Sequence, residues 1–183
     1  MDHQEKTVLL KNGNPCLIRR AEERDAEMLV AYMKATAGES RNLMREPEEV
    51  TMTVEQEREF LRDRAASETG LMLLAEVNGE HVGTASFDMV GGRSRTRHRC
   101  GVAITLYRKF WGMGIGTVLL GEILTSAKAA GYEQAELEVV STNEAAVGLY
   151  QKLGFQVTGT IRHALKYKDG SYADFLFMSK DLT

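Results

Sequence analysis

The chain has 183 residues, of which 43% are hydrophobic and 27% are charged, and its formal net charge is -3. This composition excludes a disordered chain, and two cysteines are too few for a disulfide scaffold. No apolar run reaches the roughly 18 residues that a membrane span needs, and a pI near 5.9 gives no overall attraction to nucleic acid. The first six residues do not resemble a signal peptide. We therefore expect a cytoplasmic protein without a membrane or nucleic-acid partner.

The first half of the chain alternates short strands and helices. Residues 1–15 are predicted to be a polar lead that ends in a turn, and residues 16–183 are predicted to form one domain. A short strand at Cys16–Ile18 precedes a helix from Ala21 to about Ala37, which is followed by a polar loop over residues 40–52. Thr53 opens a second helix, with Gln56 three residues later as its capping-box partner.

The second half shows the same alternation and contains the glycine-rich segment. Asn78-Gly79 predicts a hairpin turn between two strands. The remaining predicted elements are strands at Leu71–Val77, His81–Val90, Val102–Leu106, Ala135–Val140, Phe155–Ile161 and Tyr172–Met178, and helices from about residue 115 to Ala130 and from about Thr142 to Leu153. In the last helix, Ser141 with Glu144 is the predicted capping box.

The strongest chemical signal is the glycine loop that follows the strand Val102–Leu106. Gly112, Gly114 and Gly116 lie immediately before an amphipathic helix. Glycines allow close approach of a ligand, and the first helical turn offers unpaired N–H groups and the positive end of the helix dipole. Such a loop binds phosphate or pyrophosphate, although three glycines can also simply form a tight turn. A P-loop is excluded because Thr117-Val118 follows Gly116, and the glycine spacing does not fit a dinucleotide fold.

Two segments together resemble the GNAT superfamily of N-acetyltransferases. The glycine loop resembles the acetyl-CoA signature of the family, with Trp111 in place of its arginine or glutamine. The segment Leu137–Phe155 resembles the family's strand, Asn-initiated helix and Tyr-x-x-x-Gly-Phe, and Asp169–Met178 resembles its closing strand. The resemblance implies an α/β (α+β) fold: a mixed, largely antiparallel sheet of about seven strands, flanked by helices, whose central parallel pair is splayed apart.

The resemblance also implies the site residues. Acetyl-CoA, as co-substrate, is expected to contact the backbone of the strand at Ile104, Thr105 and Leu106, and the loop residues Trp111, Gly112, Met113, Gly114, Ile115, Gly116 and Thr117. Asn143 is expected to contact pantetheine or substrate, or simply to lie in the first helical turn. Lys152, with Arg108 and Lys109, is expected to screen the pyrophosphate. Tyr150 is expected to protonate the departing CoA thiolate, although it would also fit as a core tyrosine.

The general base is less clearly marked. Many relatives carry a glutamate on the strand before the glycine loop, and Gly101 stands at that place here. Candidates are Glu39, which is the first choice, and His98, Glu138 and Asp174; a chain of water molecules is the alternative. Arg93, Arg95, Arg97 and Arg99 alternate and are expected to share one solvated face of a strand or hairpin, or to contact the CoA 3'-phosphate or an acidic substrate. We predict no metal, because no His or Cys spacing suits a ligand set.

The predicted function is acetyl transfer from acetyl-CoA to a primary amine of a small molecule or peptide by direct attack. A non-catalytic acyl-CoA-binding sensor or regulatory module is the alternative, because Gly101 stands where many relatives carry a glutamate. A dinucleotide oxidoreductase is disfavoured by the glycine spacing. The acceptor is left open among polyamines, aminoglycosides, amino acids and protein N-termini, and a homodimer is expected from the resemblance alone.

Overall fold

The fold is built on one mixed eight-stranded sheet, seen in a computed structural model that describes residues 3–183. The strand order is β1-β2-β3-β4-β5-β6-β8-β7, and every neighbouring pair is antiparallel except β5 with β6. The strands are β1 Lys6–Leu9, β2 Pro15–Arg20, β3 Gly70–Val77, β4 Glu80–Met89, β5 Arg99–Leu106, β6 Gln134–Val140, β7 Gln156–Lys166 and β8 Tyr172–Asp181.

Four α-helices cover the two faces of the sheet: α1 Ala26–Glu39, α2 Val54–Ala66, α3 Ile115–Ala129 and α4 Glu144–Lys152. The predicted capping box at the start of α2 is confirmed, since Thr53 and Gln56 each accept a hydrogen bond from the other's backbone N–H. None of the helices within residues 3–183 is long and apolar enough to cross a membrane.

Strand alternation separates two apolar layers. Leu71, Leu73, Cys100 and Val102 point to the face covered by α3 and α4, where they join Leu119 and the rest of the main core. The opposite face packs against α1 and α2 through a smaller cluster that contains Leu29, Tyr32, Leu61 and Leu74. Residues of β5 and β6 that alternate with the main-core positions therefore face the α1 side.

The parallel pair separates after a short paired stretch. β5 and β6 pair only from Arg99 with Gln134 to Gly101 with Glu136. Beyond that point β5 stays paired to β4 as far as Leu106, while β6 stays paired to β8 as far as Val140. The predicted splayed parallel pair is thus confirmed, and a fork opens between the two strands.

The structure differs from the sequence prediction in three local features. β1 lies within the predicted polar lead, where Val8 pairs with Cys16 through a turn closed by Asn14 and Gly13, so the sheet has eight strands. The N-cap of α4 is Asn143 and not Ser141, because the backbone N–H of Ser141 donates to Asp174 and keeps Ser141 at the end of the sheet. Arg93–Arg97, expected on one face of a strand or hairpin, lie in the bends and turns that connect β4 with its antiparallel neighbour β5, whereas Arg99 begins β5 and pairs with Glu136.

Candidate active site

A single cavity of about 680 Å³ occupies the fork between β5 and β6. It continues to the glycine loop on the α3 side of the sheet and to the end of α1 on the other side. With one exception, every residue predicted to contact acetyl-CoA directly lines this cavity, and so do Lys152, Tyr150 and Glu39. The exception is Ile115, whose side chain is 1% exposed in the main core, so that only its backbone can face a ligand.

The glycine loop adopts a conformation that needs glycine. Gly112 and Gly114 have φ of 76° and 86°, and Gly114 is the N-cap of α3. Nothing lies within 4 Å of where a Cβ of either residue would be, so the space beside them is open to a ligand. At the start of α3 the N–H groups of Ile115 and Gly116 have no hydrogen-bond partner within residues 3–183, whereas that of Thr117 donates to the Gly114 carbonyl. This combination of open space and free N–H groups suits a pyrophosphate.

Helix α4 forms the wall opposite α3. The Asn143 side chain accepts a hydrogen bond of 3.3 Å from the backbone N–H of Ala146, so it caps the helix while also lining the cavity. A Cβ on Gly116 would lie 3.0 Å from the Leu149 side chain, which shows how closely the two helices approach beside the fork. Tyr150, the residue after Leu149, also lines the cavity and packs edge-on against Phe155.

Burial sets the protonation state of Tyr150. Its side chain is 7% exposed, and desolvation raises the pKa of its hydroxyl to about 12. The hydroxyl is therefore protonated throughout the neutral range and can act as a donor. Burial therefore moves the Tyr150 pKa further above the ordinary thiol pKa of about 8.5. Proton transfer from Tyr150 to the sulfur requires that the leaving thiolate is also shielded from water, because desolvation raises the pKa of the thiol as well.

The free edge of β5 is held in place from three directions. Gly83 of β4 lies so close that a Cβ there would come within 2.1 Å of the Leu106 side chain. The Tyr32 hydroxyl of α1 donates a hydrogen bond of 2.6 Å to the Thr105 carbonyl. The Trp111 indole N–H donates one of 3.0 Å to the Leu106 carbonyl, which gives this tryptophan a structural contact as well as a place in the cavity wall.

Two carboxylates line the α1 side of the cavity. Glu39 stands at the end of α1, and its Oε2 accepts a hydrogen bond of 2.7 Å from the backbone N–H of Arg108, at the start of a 3-10 turn. Glu138 projects from β6, and no hydrogen bond or ion pair to it is found within residues 3–183. Of the two carboxylates, Glu138 is therefore the one without a partner in the described part of the chain.

The other base candidates lie outside the cavity. His98 is at the opposite end of the sheet, where it lines a separate polar depression with Glu133 and Lys180. The Asp174 carboxylate accepts a hydrogen bond from the backbone N–H of His163 in a bulge of β7. Gly101 forms the last paired position of β5 with β6, and a Cβ there would meet only Val90 at 3.7 Å.

Only one of the three cationic residues expected to screen the pyrophosphate lines the cavity. Lys152 lines the cavity, but Arg108 and Lys109 do not, and Lys109 is paired with Glu80. Lys11 also lines the cavity, as do Asn42, Leu43 and Met44 of the loop over residues 38–52, which the family resemblance marks as an acceptor loop without singling out these residues. Lys11 lies in the supposed polar lead and the others in a loop without periodicity, so no sequence signal singled them out.

The comparisons with known proteins identify the family. The model of the acetyltransferase (GNAT) family matches residues 37–155, which is more than half of the chain. The chain belongs to this family. The GNAT acetyltransferases use acetyl-CoA as their acyl donor, so the predicted family, enzyme class and co-substrate are confirmed.

Two curated relatives are amino-acid acyltransferases. The L-amino acid N-acyltransferase MnaT of Escherichia coli K12 is 30% identical over 61% of this GNAT chain and 64% of its own length, so the match spans less than two thirds of that enzyme. The L-methionine sulfoximine/L-methionine sulfone acetyltransferase of Pseudomonas aeruginosa PAO1 is 27% identical over 65% of this chain and 69% of its own.

Solved structures confirm the fold. A GNAT acetyltransferase from Streptococcus pneumoniae is 32% identical, with a TM-score of 0.86, over 92% of this chain and 99% of its own. The yncA protein of Salmonella typhimurium, whose structure was solved with its cofactor acetyl-CoA, shares the fold at 22% identity with a TM-score of 0.81, over 92% of this chain and 94% of its own.

Proposed function

We propose that this GNAT acetyltransferase moves the acetyl group of acetyl-CoA to the primary amine of an amino-acid-type small molecule or a short peptide by direct attack. The observation that supports this most directly is the single cavity that joins the glycine loop, the fork and two carboxylates. The amino-acid acceptors named for the Escherichia coli and Pseudomonas aeruginosa relatives support the substrate class.

In this proposal acetyl-CoA lies along the fork. The backbone of Gly112–Thr117 binds the pyrophosphate, with Lys152 as the nearest cavity-lining cation on α4. Pantetheine follows the unpaired edge of β5 beyond Gly101, where Ile104, Thr105 and Leu106 line the cavity, and Asn143 faces it from the start of α4. Holding both reactants in one cleft supplies part of the rate enhancement.

Proton movement in the proposed reaction uses two side chains. The ammonium group of the acceptor loses a proton to Glu138, and the free amine attacks the thioester carbon, so that a C–N bond forms and the C–S bond breaks. The departing thiolate takes a proton from Tyr150, while the nitrogen that has become the amide gives its second proton to solvent. Tyr150 then recovers a proton from solvent and Glu138 releases the one it accepted, so that one proton is released overall. We choose Glu138 over Glu39, the first choice from sequence, because the Glu39 carboxylate already accepts a backbone hydrogen bond from Arg108.

One observation favours a second candidate function, a non-catalytic acyl-CoA-binding module. Gly101 stands on β5 at the place where many relatives of this family carry a glutamate, and its neighbourhood leaves room for a side chain. The two functions differ in one measurable property. Both bind acetyl-CoA, but only the enzyme releases CoA when an amine is added.

Thermal unfolding with acetyl-CoA, with NADH as the control, tests the donor. A ligand at about 100 times its Kd adds about 2.7 kcal/mol to the free energy of unfolding. For a domain of this size that raises Tm by several degrees, and NADH should leave Tm unchanged. No rise with acetyl-CoA would contradict the proposed function.

Two further expectations belong to the proposal. Both cysteines are buried free thiols, which suits the reducing cytoplasm that we predict as the location. The homodimer expected from the family resemblance stays a prediction, and light scattering coupled to gel filtration measures it directly.

A further inference from the structure

We infer that the acceptor of this enzyme is a cationic amine that carries no free carboxylate, such as an amino-acid amide, a decarboxylated amino acid or the N-terminus of a peptide. This inference rests on the proposed function and narrows its substrate class. It follows from the charges around the half of the cavity that faces α1, since that half adjoins the fork on the side opposite the glycine loop.

The α1 half of the cavity has an unbalanced charge. Its wall is formed by residues of α1, of the loop that follows and of the outward positions of β5, β6 and β8: Thr36, Glu39, Ser40, Asn42, Leu43, Met44, Ala103, Thr105, Glu138, Val140 and Phe175. Two of these residues are carboxylates, and within the described part of the chain none is a lysine or an arginine. A free α-carboxylate bound here would face like charges and no cation.

Arg45, next to Met44, and Arg108, whose backbone N–H donates to Glu39, adjoin this half without lining the cavity, and two further cations have partners in the protein. Arg41, in the loop after α1, donates to Asp169 at 2.9 Å and to Ser171 at 3.2 Å, and its guanidinium lies 4.1 Å from the Tyr167 ring centroid. Lys168 donates to Glu46 and Glu48 at 3.2 Å and 3.1 Å, and these carboxylates raise the pKa of its ammonium group. Both cations bind carboxylates of the protein and neither lines the cavity.

The two cations that do line the cavity belong to its other half. Lys152 is in the last turn of α4, which packs on the α3 face of the sheet. Lys11 follows Leu10, which is buried in the same core. Both are therefore on the side of the sheet where the glycine loop and α3 would hold the phosphates of acetyl-CoA, and those phosphates supply the anions that the two lysines can bind.

Neutral groups complete the α1 half of the cavity, which we call the acceptor half because the amine would bind there. The Ser40 hydroxyl accepts a hydrogen bond from the backbone N–H of Asn42, and the Asn42 side chain faces the cavity as an amide. Leu43, Met44 and Phe175 add apolar surface. An amide or an unsubstituted carbon beside the reacting amine can be accommodated by such a wall, whereas a carboxylate would lose its water without gaining a cation. The ammonium group itself is attracted to Glu138.

Matched acceptors test the inference. Steady-state acetylation with acetyl-CoA is measured for leucine, methionine and lysine, each as the free acid, the amide and the decarboxylated amine. We expect kcat/KM for the amides and amines to exceed that of the free acids at least tenfold for each side chain that is accepted. Equal or better use of the free acids would overturn the inference and leave the proposed function standing.

A substitution in the acceptor half provides the second test. Met44 is 69% exposed, lines the cavity and takes no part in the proposed chemistry. Met44→Lys places a cation there, and we expect it to raise the ratio of kcat/KM for free acid over amide several-fold. Met44→Gln, of similar length and without charge, is the control and should leave the ratio unchanged. An unchanged ratio in Met44→Lys contradicts the inference, whereas an enzyme that acetylates no member of the panel contradicts the proposed function itself.

Discussion

The Glu39 carboxylate accepts a hydrogen bond of 2.7 Å from the backbone N–H of Arg108, and this contact ties the end of α1 to the segment that leads from β5 into the glycine loop. It binds a donor that would otherwise be unpaired at the start of a 3-10 turn. A side chain in such a contact positions the loop. Glu138, which faces the same cavity from β6, has no comparable contact in residues 3–183, and we propose that it accepts the proton of the acceptor.

The pair Glu138→Gln and Glu39→Gln separates these roles. Removing a general base costs about 10²–10⁴-fold in rate, so Glu138→Gln should lower kcat by at least about 10²-fold. Glu39→Gln keeps an oxygen that can accept from Arg108 and should change kcat by no more than a few-fold. The measurement is kcat and KM across pH for both variants. A larger loss in Glu39→Gln than in Glu138→Gln would reverse the assignment.

Tyr150→Phe tests the proposed acid. The ring still packs against Phe155, but the leaving sulfur loses its donor, so kcat should fall by at least about tenfold while KM for acetyl-CoA changes little. Since burial raises the Tyr150 pKa to about 12, ionisation of this group should cause no loss of wild-type activity below about pH 10. If kcat of the variant matched the wild type at every pH, Tyr150 would have no part in the chemistry.

Gly114→Asp tests the phosphate cradle, with Gly131→Asp as its matched control. The two glycines have φ of 86° and 88° and no atom within 4 Å of a built Cβ, so both substitutions strain the backbone by about 1–2 kcal/mol. Gly114 borders the cavity and Gly131 follows the other end of α3. Isothermal titration should show that acetyl-CoA binding is lost in Gly114→Asp alone. Equal affinity in both variants would contradict the cradle.

The stability of the fold should fall in acid because of His81. Its ring packs edge-on against Tyr32 at 4.7 Å, and burial lowers its pKa to about 4. A histidine with a lowered folded-state pKa stabilises the fold above its unfolded pKa of about 6.5, and this contribution is lost as the pH falls toward 4. Between the two limiting protonation states, this change in pKa corresponds to roughly 3 kcal/mol of unfolding free energy.

Urea unfolding at pH 7.5 and pH 4.5 measures this effect. His81→Phe preserves the ring packing and removes the titration, so the variant should lose less unfolding free energy between the two pH values than the wild type. The nearby ion pair of Arg19 with Asp25 is common to both proteins, and its pH dependence cancels in the difference. The same loss in wild type and variant would exclude His81 as the cause.

Much of the site was predictable because it depends on local sequence patterns. The glycine loop, the helix that carries Tyr150 and the capping box at Thr53 each have a short signature whose partners lie within a few residues. The N-cap of α4 was misassigned because Ser141 and Asn143 both have suitable partners three residues later, and only the sheet contact of Ser141 with Asp174 decides between them.

The acceptor half of the cavity could not be predicted from local sequence patterns. Glu39, Met44 and Glu138 lie on a helix end, a loop and a strand that are brought together only by the crossing of α1 over the fork. The one local sign was the glutamate at alternate positions of β6, Glu136 and Glu138, which marks the face of that strand away from the main core. The choice between Glu39 and Glu138 needed the hydrogen bond to Arg108.

The central claim is that acetyl-CoA and an amine react in this fork, and the most direct measurement is product formation. The enzyme is incubated with acetyl-CoA and a panel of amino acids, their amides, polyamines, aminoglycosides and short peptides, and N-acetylated product and free CoA are quantified together by mass spectrometry. We predict equal amounts of both for at least one acceptor, and none in Gly114→Asp. Binding of acetyl-CoA without acetylation of any amine would contradict the account and favour the acyl-CoA-binding module.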